Sequence, residues 1–203
     1  MARAGLKPVL PIYSSFLQRG YDQIIHDIAL SGIPVTVCID RAGIVGNDGE
    51  THQGIFDLSF LSSIPNIVIM APKNFEELDK MLEFGVNLDK PVFIRYPRGG
   101  ENFSFESTED IELGKAEIVQ EGTDLSIIAI GNMVGRAEEV ASLLPEKSVE
   151  IINARFLKPL DEETLKQSIE KTKYVLTIED GVLNGGLYTE IAELITKLSL
   201  IHI

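Results

Sequence analysis

Three stretches of this sequence are apolar or β-branched at nearly every position, and they constrain the fold more than any other feature. They are Pro34-Val35-Thr36-Val37-Cys38-Ile39, Ile67-Val68-Ile69-Met70 and Pro91-Val92-Phe93-Ile94. A strand with one wet face alternates apolar and polar residues, and these do not. Such runs suit strands buried on both faces, as in a parallel sheet covered by helices. Helical periodicity fills the gaps between them. Tyr21, Ile24, Ile25, Ile28 and Ala29 recur at spacings of three and four, and Gly32 closes that stretch. Asn74 is placed to cap a helix containing Phe75, Leu78, Met81 and Leu82. With a short strand at 8–13, the order is strand, helix, strand, loop, strand, helix, strand, which is an α/β layer.

A second α/β unit follows. Residues 99–112 are polar and without period, so they read as a linker. We place one domain at 1–100, a linker at 101–113 and a second domain at 114–203. Strands are expected at 116–119, 125–130, 149–153 and 174–178, and helices at 134–144, 162–169 and 188–198. Leu200-Ile201-His202-Ile203 reads as the beginning of another strand, so the chain is expected to be part of a longer one.

Composition removes several function classes. The net charge of −13 disfavours a nucleic-acid binder, which needs a basic face. No apolar run approaches the roughly eighteen residues needed to span a bilayer, and no secretory pattern opens the chain, so neither membrane nor secretion is expected. One cysteine, Cys38, cannot form an internal disulfide, which points to a reducing, cytoplasmic setting. Mid-strand, it reads as a small core residue. The charge is uneven. Residues 1–100 hold nine basic and eleven acidic side chains, and residues 101–203 hold nine and twenty.

Ligands of open parallel sheets bind beyond the carboxyl ends of the strands. Three segments fall there: 13–19, 40–54 and 95–99. Each brings an arginine, Arg19, Arg41 and Arg98. Convergent guanidinium groups match phosphate oxygens. The competing reading pairs each arginine with a nearby acid, Asp22, Asp40 or Glu101. The loop 40–54 has glycines at 43, 46, 49 and 54, and it carries Asp48 and His52. Histidine titrates where a proton shuttle works. We expect ligand contacts to be what restrains this glycine-rich loop. His26 lies four residues after Asp22 and reads as a solvated pair. Asn184-Gly185-Gly186, after Glu179-Asp180, reads equally as a ligand loop or a helix-start turn.

The sequence Tyr13-Ser-Ser-Phe-Leu-Gln-Arg-Gly-Tyr-Asp-Gln-Ile-Ile-His-Asp27 resembles the 1-deoxy-D-xylulose-5-phosphate synthases of the transketolase superfamily. So do Asp-Arg-Ala-Gly-Ile-Val-Gly-Asn-Asp-Gly-Glu-Thr-His-Gln-Gly at 40–54, Ile-Pro-Asn-Ile-Val-Ile-Met-Ala-Pro at 64–72 and Arg-Tyr-Pro-Arg-Gly at 95–99. Gly114-Lys-Ala-Glu-Ile-Val, Leu157-Lys-Pro-Leu-Asp161 and Glu179-Asp…Asn-Gly-Gly186 continue a pattern shared with transketolases and 2-oxo acid dehydrogenase β subunits. The resemblance covers nearly the whole chain. It implies two transketolase-like domains, a pyrimidine-binding domain and most of a C-terminal domain, each a mostly parallel sheet covered by helices.

That resemblance implies an enzyme condensing pyruvate with glyceraldehyde 3-phosphate, using thiamin diphosphate and Mg²⁺ and releasing CO₂, at the head of an isoprenoid route. Carried over by motif, Phe16 stacks on the cofactor's aminopyrimidine with Arg19 beside it. Tyr13, Arg41 and Arg98 hold the acceptor phosphate. Asp48 and His52 meet substrate oxygens, His52 as proton donor or acceptor. Asp48-Gly49 with Asn66 partly resembles the magnesium motif Gly-Asp-Gly…Asn. However, Asn47 stands where its first glycine belongs and Asn66 comes too early, so no metal site is assigned. The diphosphate-binding domain and the activating glutamate are expected upstream, a homodimer is expected, and the chain alone is expected to be inactive. Two alternatives stand: the pyrimidine-binding subunit of a split transketolase or 2-oxo acid dehydrogenase, and a non-catalytic dimerisation module of the same fold.

Overall fold

The computed structural model of the protein describes residues 1–101, 103, 105 and 110–200. Strand β1 (Val9–Tyr13) leads into α1 (Ser14–Leu17), a 3-10 turn (Gln18–Gly20), α2 (Tyr21–Gln23) and a π-helical stretch (Ile24–Ala29). The three-and-four spacing does build a helix. Its end widens, with Leu30 N bonded to Ile25 O and Ile33 N to Ile28 O, before Gly32 turns the chain at φ 57°. Then come β2 (Thr36–Asp40), α3 (Asp57–Ser62), β3 (Val68–Met70), α4 (Phe75–Asn87) and β4 (Val92–Arg95). Asn74 caps α4 by accepting from Glu77 N at 2.8 Å, as the sequence predicts.

The second half runs β5 (Glu117–Gln120), β6 (Leu125–Ala129), α5 (Met133–Ser142), β7 (Val149–Asn153), β8 (Phe156–Lys158), α6 (Glu162–Thr172), β9 (Val175–Ile178) and α7 (Leu187–Leu200). The first sheet has the order β1-β2-β4-β3-β8, with the first four strands parallel. The second has the order β5-β7-β6-β9, with only β5 antiparallel. Every residue of β3 and β4 is buried, as the unbroken apolar runs require.

Three details differ from the sequence reading. Helix α3 lies within the long connection between β2 and β3, and its six residues are too few to show a period. Leu200 belongs to α7 rather than to a new strand, because the apolar spacing of Leu187, Ile191, Leu194 and Leu198 continues the helix. Residues 201–203 lie outside the described residues, as do 102, 104 and 106–109 of the expected linker. The third difference is β8. This second-half strand joins the first sheet, antiparallel to β3, with Ala71 N donating to Arg155 O at 2.9 Å. Three residues without alternation gave no sign of it.

The halves share one apolar core. Leu17, Ile39 and Leu58 from the first pack in one cluster with Ile128, Ile152 and Ile191 from the second. A buried ionic cluster lies at the same junction. Arg155, held at φ 55° just past β7, donates from Nε to Glu77 Oε1 at 2.7 Å and pairs from Nη2 with Glu117 Oε1 at 3.3 Å. Lys73 Nζ reaches Glu117 Oε2 at 2.5 Å, and Lys73 N donates to Glu77 Oε2 at 2.6 Å. Asn153 Nδ2 bridges both carboxylates at 3.0 and 3.1 Å. All five side chains are buried. Two cations thus meet two anions, with the remaining lone pairs bonded, which is the condition under which buried ions persist.

Burial alone would raise the Glu117 carboxyl, but hydrogen bonds from Lys73 and Asn153 and the charge of Arg155 outweigh it and the net shift is downward. A carboxyl depressed by folding contributes fully at neutral pH, and its contribution is lost as pH falls below the ordinary value of about 4.3. The Glu117→Gln variant should therefore lose less stability on acidification through that range than the wild type does, measured by urea unfolding at each pH. Arg155→Met should cost about 3–5 kcal/mol at neutral pH, because it leaves two buried carboxylates sharing one lysine. A urea midpoint close to that of the wild type would show that the cluster is not what couples the halves.

Candidate functional site at the strand ends

The site is assembled where β1, β2 and β4 end. Tyr13 is the last residue of β1, Arg41 follows β2, and Arg98 follows β4 by three residues. Arg41 adopts a left-handed backbone, φ 55°, with its amide donating to Asp40 Oδ1 at 2.7 Å. A non-glycine residue pays about 1–2 kcal/mol for that geometry. It returns the guanidinium over the strand end, where Cζ sits 4.1 Å from the Tyr13 ring centre and Nη2 donates to Tyr13 OH at 2.8 Å.

Arg41 Nη1 donates to Asp48 Oδ2 at 2.7 Å, and Arg98 Nη1 donates to the other carboxylate oxygen. The Asp48 side chain is only 5 % exposed. The hydrogen bond from Arg41 holds its carboxyl below the usual range against the opposing effect of desolvation, and Arg98 adds to the shift. The Phe16 ring stacks with Tyr13 at 5.3 Å between centroids and 29°. His52 meets the edge of Phe16 at 5.4 Å and 72°. Its Nδ1 lies 2.8 Å from Thr51 Oγ1.

Six of the seven expected residues therefore form one chain of contacts: Arg98, Asp48, Arg41, Tyr13, Phe16, His52. The seventh, Arg19, is exposed and has no ion-pair or hydrogen-bond partner among the described residues. The acids weighed as partners for the arginines are engaged elsewhere. Asp22 pairs with His26 at 3.0 Å, Glu101 accepts from Phe75 N, and Asp40 takes the Arg41 amide rather than its guanidinium. Asp48, seven residues along the loop, is the acid that both arginines found.

The loop carries hydrogen bonds of its own. Gly43 and Gly54 form an antiparallel bridge with N–O distances of 2.7 and 2.9 Å. The Gln53 amide ties the interior together, accepting from Val45 N at 2.7 Å and donating to Val45 O at 2.9 Å and Gly49 O at 2.7 Å. Gly54 is required by close approach, since a Cβ there would lie 2.2 Å from Arg41 O. One internal glutamine supplies what a count of glycines could not show.

Other polar residues at the site gave weaker signals. Arg95 ends an otherwise apolar run, and it is buried with Nε donating to Asp57 Oδ2 at 3.0 Å. Glu179 settles the Asn184–Gly186 stretch as a helix-start turn, because its carboxylate accepts from Leu187 N at 2.8 Å and Tyr188 N at 2.9 Å. Asp180 reaches across to the loop and accepts from Ile44 N at 3.0 Å. Cys38 is a buried strand residue whose thiol is pushed up by burial. A cavity of about 200 Å³ opens between the halves beside Arg98, lined also by Tyr96, Asn132, Arg136 and Asp180.

Comparison with known proteins agrees with this architecture. Residues 1–101 match the family described as transketolase, pyrimidine binding domain, and residues 114–202 match transketolase, C-terminal domain. The 1-deoxy-D-xylulose-5-phosphate synthase of Halothermothrix orenii is 52 % identical over 98 % of this chain and 32 % of its own length. That of Natranaerobius thermophilus is 49 % identical over 100 % of the chain and 33 % of its own. The chain thus spans about a third of the length of these curated relatives. A solved structure titled "Split gene transketolase, inactive beta4 tetramer" superposes with a TM-score of 0.90 at 27 % identity, over 97 % of this chain and 65 % of the other. Both halves match consecutive domains of one family in the same order, and the chain belongs to the transketolase family as a pyrimidine-binding domain followed by a C-terminal domain.

Proposed function

We propose that the chain is the pyrimidine-binding and C-terminal portion of a thiamin diphosphate-dependent synthase. That enzyme joins pyruvate to glyceraldehyde 3-phosphate, yielding 1-deoxy-D-xylulose 5-phosphate and CO₂ for isoprenoid, thiamin and pyridoxal biosynthesis. The observation that carries this reading is the convergence of Arg41 and Arg98 on the two oxygens of one carboxylate, with Tyr13 OH accepting from the Arg41 guanidinium behind it. Two guanidinium groups aimed at one anion form a phosphate receptor. Identity of about half the residues with synthases supports the assignment.

The residues present fit one end of the cofactor. Phe16 is 43 % exposed, ringed by Tyr13 and His52, and offers an aromatic surface to a pyrimidine. In this reading magnesium and diphosphate would be held by another domain or subunit. When bound, the cofactor supplies the carbon nucleophile for pyruvate. In this reading Arg41 and Arg98 fix the acceptor phosphate, Asp48 meets an acceptor hydroxyl, Arg19 flanks the pyrimidine, and His52 moves a proton at the acceptor oxygen. The chain works as a homodimer in the cytoplasm and is inactive without its upstream domain. No helix among the described residues is long and apolar enough to cross a membrane.

The structural likeness to a split-gene transketolase favours a second reading, in which this portion is a separate subunit whose partner carries the diphosphate site. Adding a diphosphate-binding subunit in trans would then restore turnover, whereas in the first reading only the fused chain is active. The third reading, a non-catalytic dimerisation module, requires that no phosphate ester binds.

Calorimetry with glyceraldehyde 3-phosphate on the 203-residue chain tests the receptor. Arg41→Ala should weaken binding roughly ten- to hundredfold, the worth of a charge-assisted hydrogen bond. His52→Gln should weaken binding less than Arg41→Ala does, because His52 contacts Phe16 and Thr51 rather than either arginine. No heat from the wild type at millimolar ester would remove the phosphate reading. Turnover of pyruvate and the aldehyde by this chain alone would overturn its inactivity.

A further inference from the structure

We propose that Asp180, a residue of the second domain, is a positioning residue for the functional loop of the first. This rests on the reading of loop 41–54 as substrate-binding, and it adds the element that sets where that loop sits.

The contacts gather at the loop's neck. Asp180 Oδ1 accepts from Ile44 N at 3.0 Å, one residue beyond the Gly43–Gly54 bridge. Gly43 lies directly against the carboxylate. It has φ 80°, and a Cβ there would stand 1.9 Å from Asp180 Oδ2. The backbone of Asp180 is pinned in turn, because its carbonyl accepts from Arg95 Nη2 at 2.9 Å. The same guanidinium is anchored through Nε to buried Asp57, at the start of α3. Two residues on, Val182 N donates to Ile55 O at 3.2 Å, on the returning arm of the loop. Gly185 lies so close to Ser59 that a Cβ would come within 2.9 Å of its Oγ. The segment following β9 therefore holds both arms of the neck, and Asp180 contributes a side-chain hydrogen bond to it.

The consequence falls on the phosphate receptor. The Ile44 side chain is 74 % exposed, so packing does not fix this point of the loop. Its amide bond to Asp180 does. Four residues further on is Asp48, the carboxylate that aligns Arg41 and Arg98. Releasing Ile44 frees the near arm and lets Asp48 shift, which unpairs the guanidinium groups. The second domain thereby sets the affinity of a site whose residues all come from the first. The role needs an acceptor oxygen at this position rather than a negative charge.

Amide hydrogen exchange on the 203-residue chain reads the contact directly. In Asp180→Ala, the Ile44 amide should exchange roughly tenfold faster, the upper worth of one such hydrogen bond, while amides of β6 and β7 stay protected. Glyceraldehyde 3-phosphate should bind several-fold more weakly. Asp180→Asn keeps an acceptor oxygen and should restore both the exchange rate and the affinity. Unchanged Ile44 exchange in the alanine variant would overturn the proposal, as would an asparagine variant as impaired as the alanine one. If the wild type binds no phosphate ester while Ile44 exchange still rises only in the alanine variant, the contact stands and the phosphate reading of the loop is what fails.

Discussion

The buried cluster of Lys73, Glu77, Glu117, Asn153 and Arg155 is the interaction on which the rest of the structure depends. Each ion in it would cost several kcal/mol to bury alone, and each has a partner on the other half of the chain. Glu77 sits on α4 of the first domain, whereas Glu117 and Arg155 come from β5 and the turn after β7. Separating the halves would strand charges in both. The two sheets are therefore held in a fixed relation, and β8 extends that relation by hydrogen-bonding to β3.

That fixed relation places a second-domain turn against a first-domain loop. Glu179 and Asp180 are neighbours with different work. Glu179 satisfies the free amides at the start of α7, and Asp180 faces the loop. A partly buried carboxylate pair at a strand end is costly unless each finds donors, and here each does. Local strain collects just beyond strand ends. Arg41 and Arg155, both just beyond strand ends, are two of the non-glycine residues with positive φ, and each directs its guanidinium onto a carboxylate, Asp48 for Arg41 and Glu77 for Arg155.

Much of this was legible in the sequence. The unbroken runs at 34–39, 67–70 and 91–94 announced strands buried on both faces, Asn74 announced its helix, the strand ends pointed to Arg19, Arg41, Arg98, Asp48 and His52, and the family resemblance added Tyr13 and Phe16. Other features had no local signature. Whether Arg98 pairs with Glu101 or Asp48 depends on how a loop folds back, and the adjacent acid in the chain was not the partner chosen. Gln53 looked like any polar loop residue until its amide was seen spanning Val45 and Gly49. Strand β8 was hidden because three residues carry no period.

The sequence by itself determined the parts: two α/β units, their order, and which residues stand at the carboxyl ends of the strands. Those follow from periodicity, caps and turn residues, all of which act over a few neighbours. The tertiary structure alone decided which charges meet. Arg41 and Arg98 are 57 positions apart in numbering and Ile44 and Asp180 are 136 apart, yet one pair shares a carboxylate and the other a hydrogen bond. Electrostatic partners are selected by distance in space, and that distance exists only once the apolar strands have been stacked and the two halves joined.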